Sequence, residues 1–157
     1  MSLSPEESDM QPHTQKEYEQ YLRAIKGPPV MVILRTHLLT EYYLERALRA
    51  GLRRGDKLVD SATLSYSQKL AVVEAIDKFP DHVISSLRNL NKIRNRCAHE
   101  FERQVSVSDI DLIGGPYGKE YTAFKKRFPK SVRALLNHVV GTITAAMSGC
   151  VEALEEQ

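Results

Sequence analysis

Tryptophan is absent from the 157 residues, aromatic side chains make up 7%, and only two cysteines are present. So few aromatics argue against a platform that stacks the bases of single-stranded nucleic acid. Cys97 and Cys150 lie in helical-looking sequence with no further Cys or clustered His nearby. That spacing argues against a disulfide scaffold and a structural zinc site, and it points to a reducing, cytoplasmic setting. Residues 1–20 lack a basic start and an apolar stretch, so no secretory leader is expected there. No segment alternates polar and apolar residues well enough to read as a strand. His13, His37, His82, His99 and His138 are scattered without metal-ligand spacing, so no metal is expected. Gly114 to Lys119 is no phosphate loop, because Ile113 precedes it and Glu120 stands where Ser or Thr is needed. No cofactor is therefore called for.

Formal charge is also nearly absent in sum, at +2, but it is unevenly spread. Glu6, Glu7, Asp9, Glu17 and Glu19 make the start acidic, and Glu152, Glu155 and Glu156 do the same at the end. The interior, 21–151, holds 21 basic against 12 acidic residues, a net charge of +9. Such a body is compatible with an anionic partner. Residues 134–151 carry no formal charge, yet Asn137, His138, Gly141, Thr142, Thr144, Ser148 and Gly149 interrupt them. The apolar residues form a helical stripe, which reads as a core helix of a soluble protein and not as a membrane span.

Residues 1–13 read as a disordered leader, and 14–157 as a single domain. Helical periodicity predicts a first helix over about 15–25, ended by Gly27-Pro28-Pro29, and a long second helix over about 30–52. Ser65 or Ser67 can cap a third, and Pro80-Asp81 opens a fourth. Ser106 to Asp109 caps a short helix through Ile113, and Pro129 opens the last, with Val132, Leu135, Leu136, Val139, Ile143, Met147, Cys150 and Leu154 on one side. The expected architecture is all-α: an up-and-down bundle of about five to six helices.

Chemistry is expected where charge enters an apolar stripe. On the second helix Val30, Leu34, Leu38, Leu44, Leu48 and Leu52 define a face into which His37, Glu41 and Glu45 also fall, with Glu41 at its centre. On the fourth, Arg94 falls among Val83, Leu87, Leu90 and Ala98. A buried unpaired charge costs several kcal/mol, so Glu41 and Arg94 are expected either to face each other across the seam or to share a cleft or subunit interface. Around Arg94, the run Asn91-Lys92-Ile93-Arg94-Asn95-Arg96-Cys97-Ala98-His99 packs guanidinium, carboxamide and imidazole into about two turns. His99 stands about 140° round an ideal helix from Arg94. The two converge only if the helix end is distorted or a second chain takes part. A two-fold groove lined by both would supply what RNA phosphodiester cleavage needs: imidazoles that move protons near neutral pH and guanidiniums that stabilise phosphorane charge, with no metal.

The phrase Leu90-Asn91-Lys92-Ile93-Arg94-Asn95-Arg96-Cys97-Ala98-His99-Glu100 resembles the R-x(4–6)-H helix of the HEPN superfamily, whose members often carry a polar residue after the Arg. Ser67 to Ala71 and Val105 to Asp109 are similar to its mannitol-operon-repressor-like branch. The resemblance spans roughly 30–155. It implies a HEPN-like bundle that forms a homodimer and acts as a metal-independent ribonuclease, as a toxin or defence effector with an antitoxin or regulatory protein partner. On that reading Arg94 contacts the scissile phosphate, His99 is the general acid/base on the 2′-hydroxyl, and Asn95 orients His99 or bonds the phosphate. Glu41, supported by Glu45, anchors Arg94, and Lys92 and Arg96 bind RNA. The same resemblance admits a non-catalytic regulator or interaction module, which predicts His99 buried or satisfied by backbone. Direct DNA binding finds no helix-turn-helix spacing to support it.

Overall fold

The structure, a computed structural model, describes residues 12–61 and 63–157. They are all-helical, with no strand among the described residues: α1 (Pro12–Ala24), α2 (Pro29–Gly51), α3 (Gly55–Ser61), α4 (Tyr66–Ile76), α5 (Asp81–His99), α6 (Val107–Gly114), α7 (Lys119–Arg127) and α8 (Val132–Glu155), with a 3-10 turn at Gly115–Tyr117. Residues 1–11 of the expected leader lie outside the described residues, and Pro12 already belongs to α1.

The helix total exceeds the expected five to six because two stretches read as connections are themselves helical. Residues 55–61 form α3, whose opening residue Gly55 packs so closely on the last turn of α2 that a Cβ there would collide with the Leu48 carbonyl. Residues 119–127 form α7, stacked on α8. Pro129 does not open the last helix. Ser131 does, its hydroxyl accepting from the Ala134 amide at 3.1 Å, and Pro129 sits in the turn before it. The other starts follow their local chemistry. Pro29 occupies the first turn of α2, where its missing N–H is no loss, after Gly27 in a positive-φ turn (φ 91°). Ser65 with Gln68, and Ser106 with Asp109, form reciprocal capping boxes on α4 and α6.

Helix α2 runs through the middle of the molecule, packed on α8, α4, α5, α3 and α1. Its Ile33, Leu44 and Leu48 meet Leu87, Leu90 and Ile93 of α5 and Leu136, Ile143 and Met147 of α8 in one core of fully buried side chains. Each such side chain contributes roughly 1.5–3 kcal/mol. By length and composition alone α8 could cross a membrane, with a mean hydropathy of 1.4 over its most apolar window. Here its apolar stripe is the one buried against α2 and α6. α1 is clamped by Glu17, which accepts from Arg46 of α2 and Ser148 of α8, while Arg46 also holds Glu155 at the end of α8 (2.7 Å).

Candidate functional site

The buried face of α2 is Val32, Ile33, Thr36, His37, Thr40, Tyr43, Leu44, Ala47 and Leu48. It lies about 100°, one residue step, round the helix from the stripe that Val30, Leu34 and Leu38 suggest. Leu38 is in consequence 62% exposed. The roll carries Glu41 from the centre of the apolar face to its rim and turns His37 inward. Two buried threonines, Thr36 and Thr40, take part in the core face, which is why counting aliphatic residues alone misplaced it.

At that rim a cleft of about 260 Å³ opens between three helices. His37 and Glu41 line it from α2, Ser65, Tyr66 and Ser67 from the head of α4, and Asn91, Arg94 and Asn95 from α5. The α5 trio falls at i, i+3 and i+4, so the helix itself gathers the three on one side. α4 presents its N-terminus, whose unsatisfied amides add partial positive charge.

The walls are tightly organised. His37, 4% exposed, stacks on Tyr66 with ring centroids 4.1 Å apart. The Tyr66 hydroxyl donates to Thr40 Oγ1 (2.9 Å), which in turn donates to the His37 backbone carbonyl (2.9 Å). His37 Nε2–H donates to Asn91 Oδ1 (2.9 Å), and Asn91 Nδ2 donates to Ser67 Oγ (3.1 Å). The other imidazole nitrogen, Nδ1, is buried without a partner. Burial pushes the imidazole below its ordinary pKa and the Arg94 charge adds to this, while the Asn91 bond and Glu41 oppose it. His37 is thus a neutral wall and leaves Arg94 as the cation of the cleft.

Arg94 differs from every other sheltered cation. Among the described residues, four basic side chains are not fully exposed: Arg46, Lys69, Arg94 and Arg103. Arg46 holds Glu17 and Glu155, Lys69 holds Glu41 and Glu45, and Arg103 holds Glu100 and Asp109. Arg94 has no carboxylate partner among the described residues, and its one hydrogen bond goes to Asn95 Oδ1 (3.1 Å). A half-buried guanidinium without a counter-ion in a polar cleft has donors to offer an anion.

Comparison with family models, with curated proteins and with solved structures found no match to this chain. The structure brings Arg94, Asn95 and Glu41 of the expected set to one cleft. It does not pair Glu41 with Arg94. The Glu41 carboxylate goes instead to Lys69 (2.8 Å), which also takes Glu45 (2.7 Å). Lys69 reaches them from α4, where Tyr66, Lys69, Leu70 and Val73 form the buried face, and so neutralises the acids before Arg94 can. Glu45 therefore supports Lys69 and does not line the cleft. Lys92 and Arg96 are exposed on α5 with His99, and the three share a face distinct from that of Arg94. The helix continues undistorted through His99, closed by the Glu100 amide on the Arg96 carbonyl (2.9 Å), so the two candidate catalytic residues stay about 140° apart within one chain.

Lys69 and Tyr66 are the residues that sequence reasoning passed over, while His37 and Ser67 figured there only as a member of the α2 face and as a possible cap. The signal for Lys69 was present: a cation among Tyr66, Leu70 and Val73 is the same anomaly that singled out Glu41 and Arg94. Among the described residues no group of three His, Cys, Asp or Glu could hold a metal ion. A second hollow, of about 280 Å³, is walled by Tyr18, Tyr21 and Tyr43, and both oxygens of its Glu17 are already taken.

Proposed function

We propose that the cleft binds a phosphodiester of RNA and that the protein is a metal-independent ribonuclease of HEPN type, a toxin or defence effector working as a homodimer. The observation that carries this reading is the unpaired, half-buried Arg94. Its guanidinium, the Asn91 and Asn95 carboxamides, the Ser65 and Ser67 hydroxyls and the start of α4 offer donors to the non-bridging oxygens of one phosphate. Their charge is matched to a phosphorane. Lys92 and Arg96 are exposed on the opposite side of α5 with His99, where they would meet the RNA backbone only together with that residue.

His99 enters this scheme from a second copy. The straight end of α5 removes the alternative in which a distorted helix swings it toward Arg94 in the same chain. Phe101, two residues beyond it, is 94% exposed, so no described residue of the chain covers this end of α5. The regulator reading expects His99 buried or held by backbone. Its exposed imidazole, with no hydrogen-bond partner among the described residues, favours the nuclease.

The test is direct. Purified protein incubated with RNA is expected to release fragments ending in a 2′,3′-cyclic phosphate in the presence of a chelator. Arg94→Ala loses RNA binding, and His99→Ala binds but does not cleave. Expression of the wild type arrests growth and His99→Ala relieves the arrest. A His99→Ala variant as toxic as the wild type defeats the assignment.

A further inference from the structure

Cleavage through a 2′,3′-cyclic phosphate needs two proton transfers, one from the 2′-hydroxyl and one to the departing 5′-oxygen. A single imidazole reaching the cleft from a second copy supplies only one of them at a time. The other has to come from the cleft itself. His37 is excluded as the base: Nε2 is already a donor to Asn91, and Nδ1 is sealed from any ligand. Ser65, Ser67, Asn91 and Asn95 carry no group that accepts a proton near neutral pH. Tyr66 is buried, and burial drives its phenol further from ionisation.

Glu41 remains. Its Oε1 accepts from Lys69 at 2.8 Å, while Oε2 has no partner among the described residues. The carboxylate is partly open, at 28% side-chain exposure, and faces the same cleft as Arg94. Lys69 fixes its direction and offsets its charge, so that a phosphate can sit on Arg94 without facing a bare anion.

We propose that Glu41 is a catalytic residue, the base that takes the 2′-hydroxyl proton, with a ribonucleotide seated so that its phosphate lies on Arg94. This rests on the ribonuclease reading of the cleft. In the step, the 2′-hydroxyl gives its proton to Glu41 Oε2 while the 2′-oxygen attacks phosphorus. The new P–O2′ bond closes the cyclic phosphate and the P–O5′ bond breaks. The 5′-oxygen takes a proton from the His99 imidazolium of the second copy, and Glu41 afterwards returns its proton to solvent, from which His99 is reprotonated. No water is consumed and nothing is oxidised. Because the base needs a 2′-hydroxyl, the cleft cleaves RNA and leaves DNA intact.

The control is built into the structure, because Glu45 holds Lys69 as Glu41 does but does not line the cleft. Single-turnover cleavage of a mixed-sequence RNA oligonucleotide, and binding of its 2′-O-methyl counterpart, are measured for the wild type, Glu41→Gln, Glu41→Asp, Glu45→Gln and Arg94→Ala, with melting curves to establish folding. Glu41→Gln is expected to slow cleavage on the order of 100-fold while binding the 2′-O-methyl RNA as tightly or more so, since it removes a negative charge from a phosphate cleft. Glu41→Asp, which keeps the charge on a shorter arm, falls between, and Glu45→Gln loses far less than Glu41→Gln. Equal losses in Glu41→Gln and Glu45→Gln would assign the effect to Lys69 and overturn the proposal. So would wild-type cleavage by Glu41→Gln alongside an inactive Arg94→Ala, though the RNA site would then stand. A wild type that neither binds nor cleaves RNA refutes both readings.

Discussion

Replacing Lys69 by Met removes the ammonium and leaves two carboxylates one helical turn apart. The Lys69 side chain is 11% exposed and sits 2.8 Å from Glu41 and 2.7 Å from Glu45. Breaking a fully buried pair costs about 3–5 kcal/mol, whereas a surface pair is worth about 0–1. This triad lies between the two, because the cation is sheltered while both acids still reach water. A loss of about 2 kcal/mol follows, or about 4–8 °C in melting temperature for a domain of this size. Urea denaturation followed by helical circular dichroism measures it. The triple variant Lys69→Met/Glu41→Gln/Glu45→Gln, which keeps the shapes and removes the charges, is expected to recover most of the loss. Burial lowers the Lys69 pKa but the two carboxylates more than reverse this, so the folded value stands above the ordinary 10.5. The ammonium's contribution is therefore complete below about pH 10.5 and disappears as pH rises through the folded-state value. A Lys69→Met loss below about 0.5 kcal/mol at neutral pH, or a triple variant no better than the single, refutes the argument.

Three further outcomes are expected. Burial holds His37 below its ordinary 6.5, so the unfolded chain binds a proton that the folded one refuses. Stability is full above about pH 6.5 and falls as pH drops below it, and His37→Gln removes that slope in urea melts taken between pH 5 and 7. Ser65→Ala deletes the α4 capping box and costs about 1 kcal/mol by the same assay, with loss of protection in amide exchange confined to the first turn of α4. Gly55→Ala drives a methyl group into the α2 backbone and is expected to lower the melting temperature by more than Gly115→Ala, where a Cβ meets nothing.

Where the chain's own chemistry is local, the sequence is easily read. The caps at Ser65 and Ser106, the stop at Gly27-Pro28 and the apolar stripe of α8 each depend on residues within a few positions of one another, and each lies where the pattern put it. The α5 trio Asn91, Arg94 and Asn95 is legible for the same reason, since helical spacing alone gathers it. The buried face of α2 lies one residue step from the aliphatic stripe because Thr36, Thr40 and His37 are polar in composition yet buried, Thr36 with no hydrogen-bond partner for its hydroxyl among the described residues. Thr40 is satisfied by Tyr66 and by its own helix, and one nitrogen of His37, Nε2, by Asn91. Those partners are between 26 and 54 residues away.

Composition and periodicity by themselves thus determined an all-helical chain with a charged anomaly at Arg94 and another at Glu41. Only the packing of α4 between α2 and the end of α5 decided which charge meets which. Lys69, arriving from a third helix, claims the acids, and the guanidinium is left over. Secondary structure is governed by bonds and clashes a few residues long. A counter-ion is chosen by whatever group the whole fold carries within reach.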